Sequence, residues 1–474
     1  MQRLIIKKEI ITAIRNIRLQ IAGVFLITLM LVAVMVGRQG QQLIQQEREK
    51  AQAAMHDKWV NQGLKHPHSA AHFGHFAFKP KPVLSFLDVG LDNYTGISVF
   101  LEAHKQNEVL FSAAQDSNAM TRFGEMTAAL ILQVLLPLLI IFLTFNIFSK
   151  EREEGTLKLI HAQGISIRQL LMGKVWGTYT MVLAIFIPII CLAYFLLDHS
   201  TSSIDAAINL KFASLTMGYA LYFLVFVLVS VLISAFAKSS SFSLLTLLGL
   251  WILACIILPK ATANLADKIY PTPSQFEFRK TIQNKVKNGI DGHNPRDERL
   301  GALKQKVFDQ YNVTSIDALP VNWSGIAMQA GEEYTDKVYD HEFTKVEGVF
   351  KKQNRLSEWA GFINPYLAIR HLSMAFAGTD FYHHIAFARG AENYRRAFVK
   401  RMNKDMELNH KPGVAYGDYN VGKEMWDSIE PFNYQLPNLN SILSAQWRSI
   451  VALLMWIVGL FFSASIFSKN ISKI

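Results

Sequence analysis

His66, His68, His72 and His75 fall within the ten residues HPHSAAHFGH, and neutral imidazoles at short spacing are what Zn, Cu and Ni ions take as ligands. No cysteine or clustered carboxylate joins them and Pro67 interrupts the run, so structural or surface histidines compete with a metal site. His341-Glu342 opens like a zinc-protease motif, but Lys345 stands where the second imidazole is needed, and no Gly-x-Ser-x-Gly elbow occurs. A phosphate-binding P-loop is absent: eight residues separate Gly164 from Gly173-Lys174 where four are required, and Val175 follows where Ser or Thr is required. The sequence therefore expects no catalytic residue and no cofactor of its own. Energy from ATP and Mg would have to come from a separate chain.

The remaining polar candidates lie in apolar surroundings. Gln133, Pro137, Thr144 and Asn146 share one apolar stretch; there, a polar side chain faces protein or water, and a proline frees a carbonyl that needs a new partner. They are read either as helix packing with a kink or as the lining of a translocation path.

The elements that must position these residues are written in the hydropathy. Six stretches carry no Asp, Glu, Lys or Arg: 19–37, 126–148, 175–197, 212–237, 239–259 and 449–468. About 20 apolar residues cross a ~30 Å hydrocarbon layer, so the chain reads as an α-helical polytopic membrane protein with six transmembrane helices. The first run ends at Val36-Gly37-Arg38-Gln39 without a small-residue cleavage site, and is expected to remain as an anchor.

Charge gives the orientation. The 474 residues hold 48 Lys and Arg against 37 Asp and Glu. Residues before Leu19, the connection 149–174, Lys238 and the tail after Ser468 hold 13 of the basic residues and only 4 Glu. Lys and Arg are retained in the cytoplasm, so both termini and the 149–174 connection are expected inside, with 39–125 and 260–448 outside. This uneven distribution argues against nucleic acid as the partner. Residues 1–18, with Leu4, Ile5, Ile10, Ile11, Ile14 and Ile17 beside Lys7, Lys8, Arg15 and Arg18, read as an interfacial amphipathic helix on membrane lipid.

Outer region 39–125 reads as a polar helix over 41–65 followed by a mixed part, with short strands at 97–101 and 109–111. Region 260–448 is mainly helical, with helices expected at 274–288, 295–311, 325–358 and 382–407. The apolar stretch 365–376 is too short to span, and is either a core helix or a helix lying on the outer leaflet. Cys191 and Cys255, the two cysteines, both lie in spans, so the outer regions must fold by burial alone.

The most informative connection is 150–174, KEREEGTLKLIHAQGISIRQLLMGK. Glycines 155 and 164 bracket two helical turns, and Ser166 can cap a further helix. An element held between two spans in this way can act as a lever. Leu157 and Ile160 are expected to face water and to fill an apolar groove on a partner, with Glu154 offering it a carboxylate.

Here the sequence resembles the ABC-2-type transporter permeases, whose first cytoplasmic loop runs from a Glu-rich start through Gly-Thr-Leu to Ser-x-Arg and a closing Gly-Lys. The matching positions are Glu153, Glu154, Gly155, Thr156, Leu157, Ser166, Arg168, Gly173 and Lys174. The resemblance implies that Glu153 to Leu157, Ile160 and Arg168 dock an ABC ATPase subunit, which binds ATP and Mg. It further implies a second permease, identical or related, a bacterial inner-membrane location and a substrate moved outward. A second resemblance is to the permease subgroup with a long outer insert between spans five and six, grouped with permeases linked to multi-copper enzyme maturation. It is carried by Asn364-Pro365, Ala377-Gly378-Thr379-Asp380, His384, Phe387 and Tyr394-Arg395-Arg396. The alternative to transport is a mechanotransmission or assembly factor in which the same ATP-driven motion works the outer domain on a periplasmic protein or lipid-anchored cargo without a pore.

Overall fold

The computed structural model describes residues 1–108, 126–197, 206–290, 294–411 and 413–471. Helix α1 (Gln2–Arg15) packs across the base of the third span, burying Ile5. That span supplies the groove: a Cβ on Gly173 would meet Ile5 Cγ2 at 2.7 Å, and one on Gly177 would meet Glu9 Cβ at 3.0 Å. Two glycines four residues apart thus admit α1 as small residues admit a neighbouring helix in membranes. Leu4, Ile11 and Ile14 stay on its exposed side.

Among the described residues, six helices are long and apolar enough to cross a membrane. The first, α2 (Ile17–Val60), carries the apolar run 19–37 and the expected polar helix after it on one rod of 44 residues, about 66 Å long. Gly37, the last residue of the apolar run, lies within this rod. Its missing side chain admits the Phe86 carbonyl, which a Cβ would meet at 2.6 Å. After α2 come α3 (Pro67–Phe73), β1 (His75–Phe78) and β2 (Ser98–Leu101), the strands pairing antiparallel with His75 opposite Leu101. The expected strand at 97–101 is present. The one at 109–111 lies outside the described residues, and β1 was not expected.

The second span, α4 (residues 128–144), carries a π-bulge at Ile131–Leu135 just before Pro137. Proline has no N–H to give the preceding turn, and the carbonyl of Gln133 takes the Tyr222 hydroxyl instead, at 2.8 Å. There follow α5 (Ser149–Glu153), α6 (Thr156–Ala162), α7 (Ile167–Phe195) and α8 (Ala206–Phe236). Helix α8 is the most enclosed span and packs on α4, α7 and the last span. Helix α9 (Ser240–Ile269) repeats the proline device: a π-bulge at Leu253–Ile257 precedes Pro259, and the Ala254 carbonyl accepts Asn364 Nδ2 at 2.8 Å.

Residues 260–448, outer in the sense of lying outside the spans, follow the expected pattern closely: α10 (Gln275–Asn288), α11 (Arg296–Tyr311), α12 (Trp323–Ala360), α13 (Pro365–Ala377) and α14 (Phe381–Asn409). Ser274 and Glu277 close a capping box at the start of α10, and Asn364 and Asp380 cap α13 and α14. Short helices α15 (Lys423–Asp427) and α16 (Leu439–Ala445) lead into the last span, α17 (Trp447–Ile471). Trp59, Val99 and Leu101 from the first outer segment share one apolar core with Phe387, Phe398, Met402 and Trp426 from the second. The two segments therefore fold as one unit, and both cysteines are free thiols.

Candidate coupling site and its connection to the outer domain

Helix α5 has five residues, and four of its side chains are committed to other elements. The Ser149 hydroxyl donates to the Phe145 carbonyl and to Ser240 Oγ, both at 3.1 Å. Glu151 Oε1 accepts Lys8 Nζ at 2.6 Å and Lys174 Nζ at 2.9 Å, and Lys174 also reaches Glu9 Oε1 at 3.1 Å and the Ile147 carbonyl at 2.7 Å. This cluster ties α1, α5 and α7 together around an ammonium that is only 1% exposed. Arg152 donates to the carbonyls of Ala235 and Ala237, filling acceptors left open at the end of α8. Glu153 accepts the Ser240 N–H at 2.9 Å and its hydroxyl at 2.7 Å, placing a carboxylate at the N-terminus of α9. One turn of helix thus joins α1 and four of the six spans.

Gly155 turns the chain out of α5 at φ +73°, a conformation that side chains resist, and the Thr156 hydroxyl donates to the Glu151 carbonyl at 3.2 Å. Helix α6 then buries none of its residues. The expected outward pair is corrected here: Leu157 and Ile160 are half-buried against the bundle core, whereas Leu159 is 64% exposed, beside Glu154 and Lys158. A helix of seven residues carries too few turns for the sequence to show which apolar side faces in. Gly164 at φ +83° ends the lever, and Ser166 and Gln169 close a capping box that starts α7, with Arg168 exposed in its first turn.

The far end of α8 meets a second polar constellation. Gln133 Nε2 donates to the Tyr219 hydroxyl at 3.0 Å, Tyr219 lies 2.7 Å from Ser373 Oγ, and Ser373 donates to Asp88 Oδ2 at 2.5 Å. Asp88 Oδ1 accepts the Gly90 N–H at 3.0 Å, and its carbonyl accepts Thr379 Oγ1 at 3.0 Å. Hydrogen bonds aligned in one direction polarise one another inside a protein. Helix α13, which carries Ser373, packs on α8 and α17 and places Ala368, Ile369, Leu372 and Phe376 in the bundle core, so the stretch 365–376 is a core helix. Tyr219 and Ala235 are 16 residues apart on α8, about 24 Å, so one rigid helix links α5 to this network.

Burial pushes the Asp88 carboxyl above its ordinary range, against the opposing effects of its hydrogen bonds and Arg370. A carboxyl raised by folding costs stability as pH climbs through its folded value, so the fold is favoured at acidic pH by this group. Asp88→Asn should therefore flatten the pH dependence of unfolding and leave the chain at least as stable at pH 7. Asp88→Ala should lose about 1–3 kcal/mol, because the Ser373 hydroxyl and the Gly90 N–H lose their acceptor. Denaturation curves across pH check both.

The translocation candidates sit inside the subunit. Gln133 belongs to the network just described, Pro137 and Thr144 are buried, Thr144 donating to the Ile140 carbonyl at 2.7 Å, and Asn146 is half-buried. Protein surrounds the first three, so in a single subunit their observed role is packing and carbonyl capture.

The histidine run is divided by the fold. His66 caps α3, accepting the His68 N–H, and stacks on Tyr416 at 3.7 Å between ring centroids. His75 is half-buried between Trp59 and Phe398 with Nε2 3.2 Å from the Tyr394 hydroxyl. Both serve the core of the outer unit, which corrects the four-histidine grouping. His68 and His72 remain together, and His104, which the sequence did not single out, joins them. Burial, then the neighbouring His72 and His104, lowers His68 to about 4.

The motif residues of the outer region also find places. Gly378 ends α13 at φ +81°, Asp380 holds both the His383 N–H and its ring, and Arg395 is enclosed by Glu392, Glu332 and Asp336. His384 and Phe387 pack within the outer unit.

Two family models match the chain. Residues 103–254, covering spans two to four, the α5–α6 connection and the first half of α9, match the ABC-2 family transporter protein, and residues 275–435 match a domain of unknown function, DUF3526. No curated protein matches significantly. With its six membrane-spanning helices, the chain is a multi-pass membrane protein that carries an ABC-2 family transporter permease domain with a DUF3526 domain C-terminal to it.

Proposed function

We propose that this membrane subunit is driven by a separate ABC ATPase that docks on α6, and that α5 passes the stroke to α1, α7, α8 and α9. The observation that carries this reading is the division of labour within one loop: α5 commits its side chains to four spans and α1, while Glu154, just before Gly155, and Lys158 and Leu159 on α6 are exposed. In this reading the loop and both termini face the cytoplasm of a bacterial inner membrane, the outer unit lies on the other side, and ATP and Mg belong to the ATPase. Two permeases, most simply identical, pair with two ATPases, since one six-span chain offers half a pathway. The work done is substrate movement outward.

A second reading, motion of the outer unit without a pore, is favoured by α13, which fills the end of the bundle at Tyr219 and Ser373. Vesicles holding the purified permease–ATPase complex separate the two. ATP-dependent movement of solute across the bilayer supports transport. ATP-dependent change in the outer unit with a sealed bilayer supports the second reading, and a complex with one permease per two ATPases would refute the paired assembly.

A further inference from the structure

We propose that His68, His72 and His104 form a binding site for a zinc ion, with Glu332 as the outer carboxylate that orients His104. His68 and His72 stand at i and i+4 on α3, one helical turn apart on the same face. Their Nε2 atoms are 3.2 Å apart. Two nitrogens bound to a tetrahedral ion at 2.0–2.1 Å lie about 3.3 Å from each other, so this spacing already suits a shared metal. His104 follows β2, and one ring nitrogen from each of the three residues lies within 4.8 Å of the others.

The third ligand is held as metal-bound histidines are held. His104 Nδ1 sits 2.5 Å from Glu332 Oε1, the same oxygen that accepts the His104 backbone N–H at 2.8 Å. A carboxylate on Nδ1 fixes the proton there and leaves the Nε2 lone pair for an ion. Glu332 is fixed in turn by Arg395, 3.2 Å from its other oxygen. His104 also adopts φ +67°, one of two non-glycine residues with positive φ among those described. Strain of this kind concentrates where a side chain must be aimed.

The chemistry selects the ion class. Three imidazoles without a thiolate suit a borderline divalent ion such as zinc, and an all-nitrogen set does not suit Mg or Ca, which take oxygen. His72 and His104 are exposed, which leaves an entry path and an open fourth position for water. The ion would join α3 and the turn after β2, with α12 reached through Glu332, within the outer unit. This inference stands apart from the coupling assignment, since it concerns neither the loop nor the spans.

The test is zinc titration of the full-length chain, purified in detergent without a polyhistidine tag and stripped with chelator. The expected result is one Zn per chain, with affinity reduced at least ~100-fold by His72→Gln and ~10–100-fold by Glu332→Gln, the range for loss of an outer-shell partner. His72 is exposed, so its replacement leaves the fold intact, which a thermal melt verifies, and His341→Gln serves as an unaffected control. Cobalt substitution should give the intense visible bands of a tetrahedral site. Zinc binding that is equally tight in His72→Gln and His104→Gln, or absent from the wild-type chain, overturns the assignment.

Discussion

Lys174→Met should be the most damaging single change around the connection between the second and third spans, lowering stability by about 3–5 kcal/mol. Its ammonium is buried among Glu9, Glu151 and the Ile147 carbonyl. Removing one partner of a buried charge cluster leaves the others desolvated and uncompensated, which is where losses of this size arise. Lys8 offers the control, because it reaches the same Glu151 oxygen at 2.6 Å but is 55% exposed. An exposed ion pair contributes about 0–1 kcal/mol, so Lys8→Ala should move the unfolding midpoint little. Denaturant titration in detergent compares the two variants. Equal and small effects would mean that the cluster does not anchor α1 and α5 to α7.

The second large effect concerns docking rather than folding. Leu159→Glu should weaken retention of the ATPase on the membrane on the order of 10- to 100-fold, because full burial of a leucine contributes ~1.5–3 kcal/mol and every 1.4 kcal/mol is tenfold in affinity. Glu154→Lys reverses the charge beside it and should add to the loss, while its surface partner Lys150, 3.8 Å away, contributes little to the fold. Both variants should insert at normal abundance, since neither side chain is buried. Substrate-dependent ATPase activity and ATPase sedimentation with membranes read the effect. Full activity and retention in Leu159→Glu would remove α6 from the docking surface, and the same result in Glu154→Lys would remove the turn before it.

Much of the scaffold was legible because its signals are local. Spans were written in runs without charge, and helix starts in Ser274, Asn364 and Asp380, where a short polar side chain caps the N–H groups that follow. Pro137 announced a freed carbonyl, though not that Tyr222 would take it. What was not legible depends on partners far apart in sequence. Glu9 and Lys174 are separated by 165 residues, Asp88 and Ser373 by 285, and no periodicity encodes such pairs. His104 was missed for the same reason: it adds to His68 and His72 through the turn after β2, not through spacing. That the apolar run and the polar helix after it form one rod was not legible, because Arg38 marks the end of the charge-free run and not the end of the helix, and neither was the close approach of the Phe86 carbonyl that Gly37 admits.

The central claim, that α6 is where the ATPase docks, is tested most directly by site-specific photocrosslinking in membranes containing both proteins. A photoreactive residue at position 159 should capture the ATPase subunit, and one at position 316, exposed in the outer region, should not. Capture at 316, or none at 159 while the ATPase remains bound to the membrane through this chain, would contradict the account.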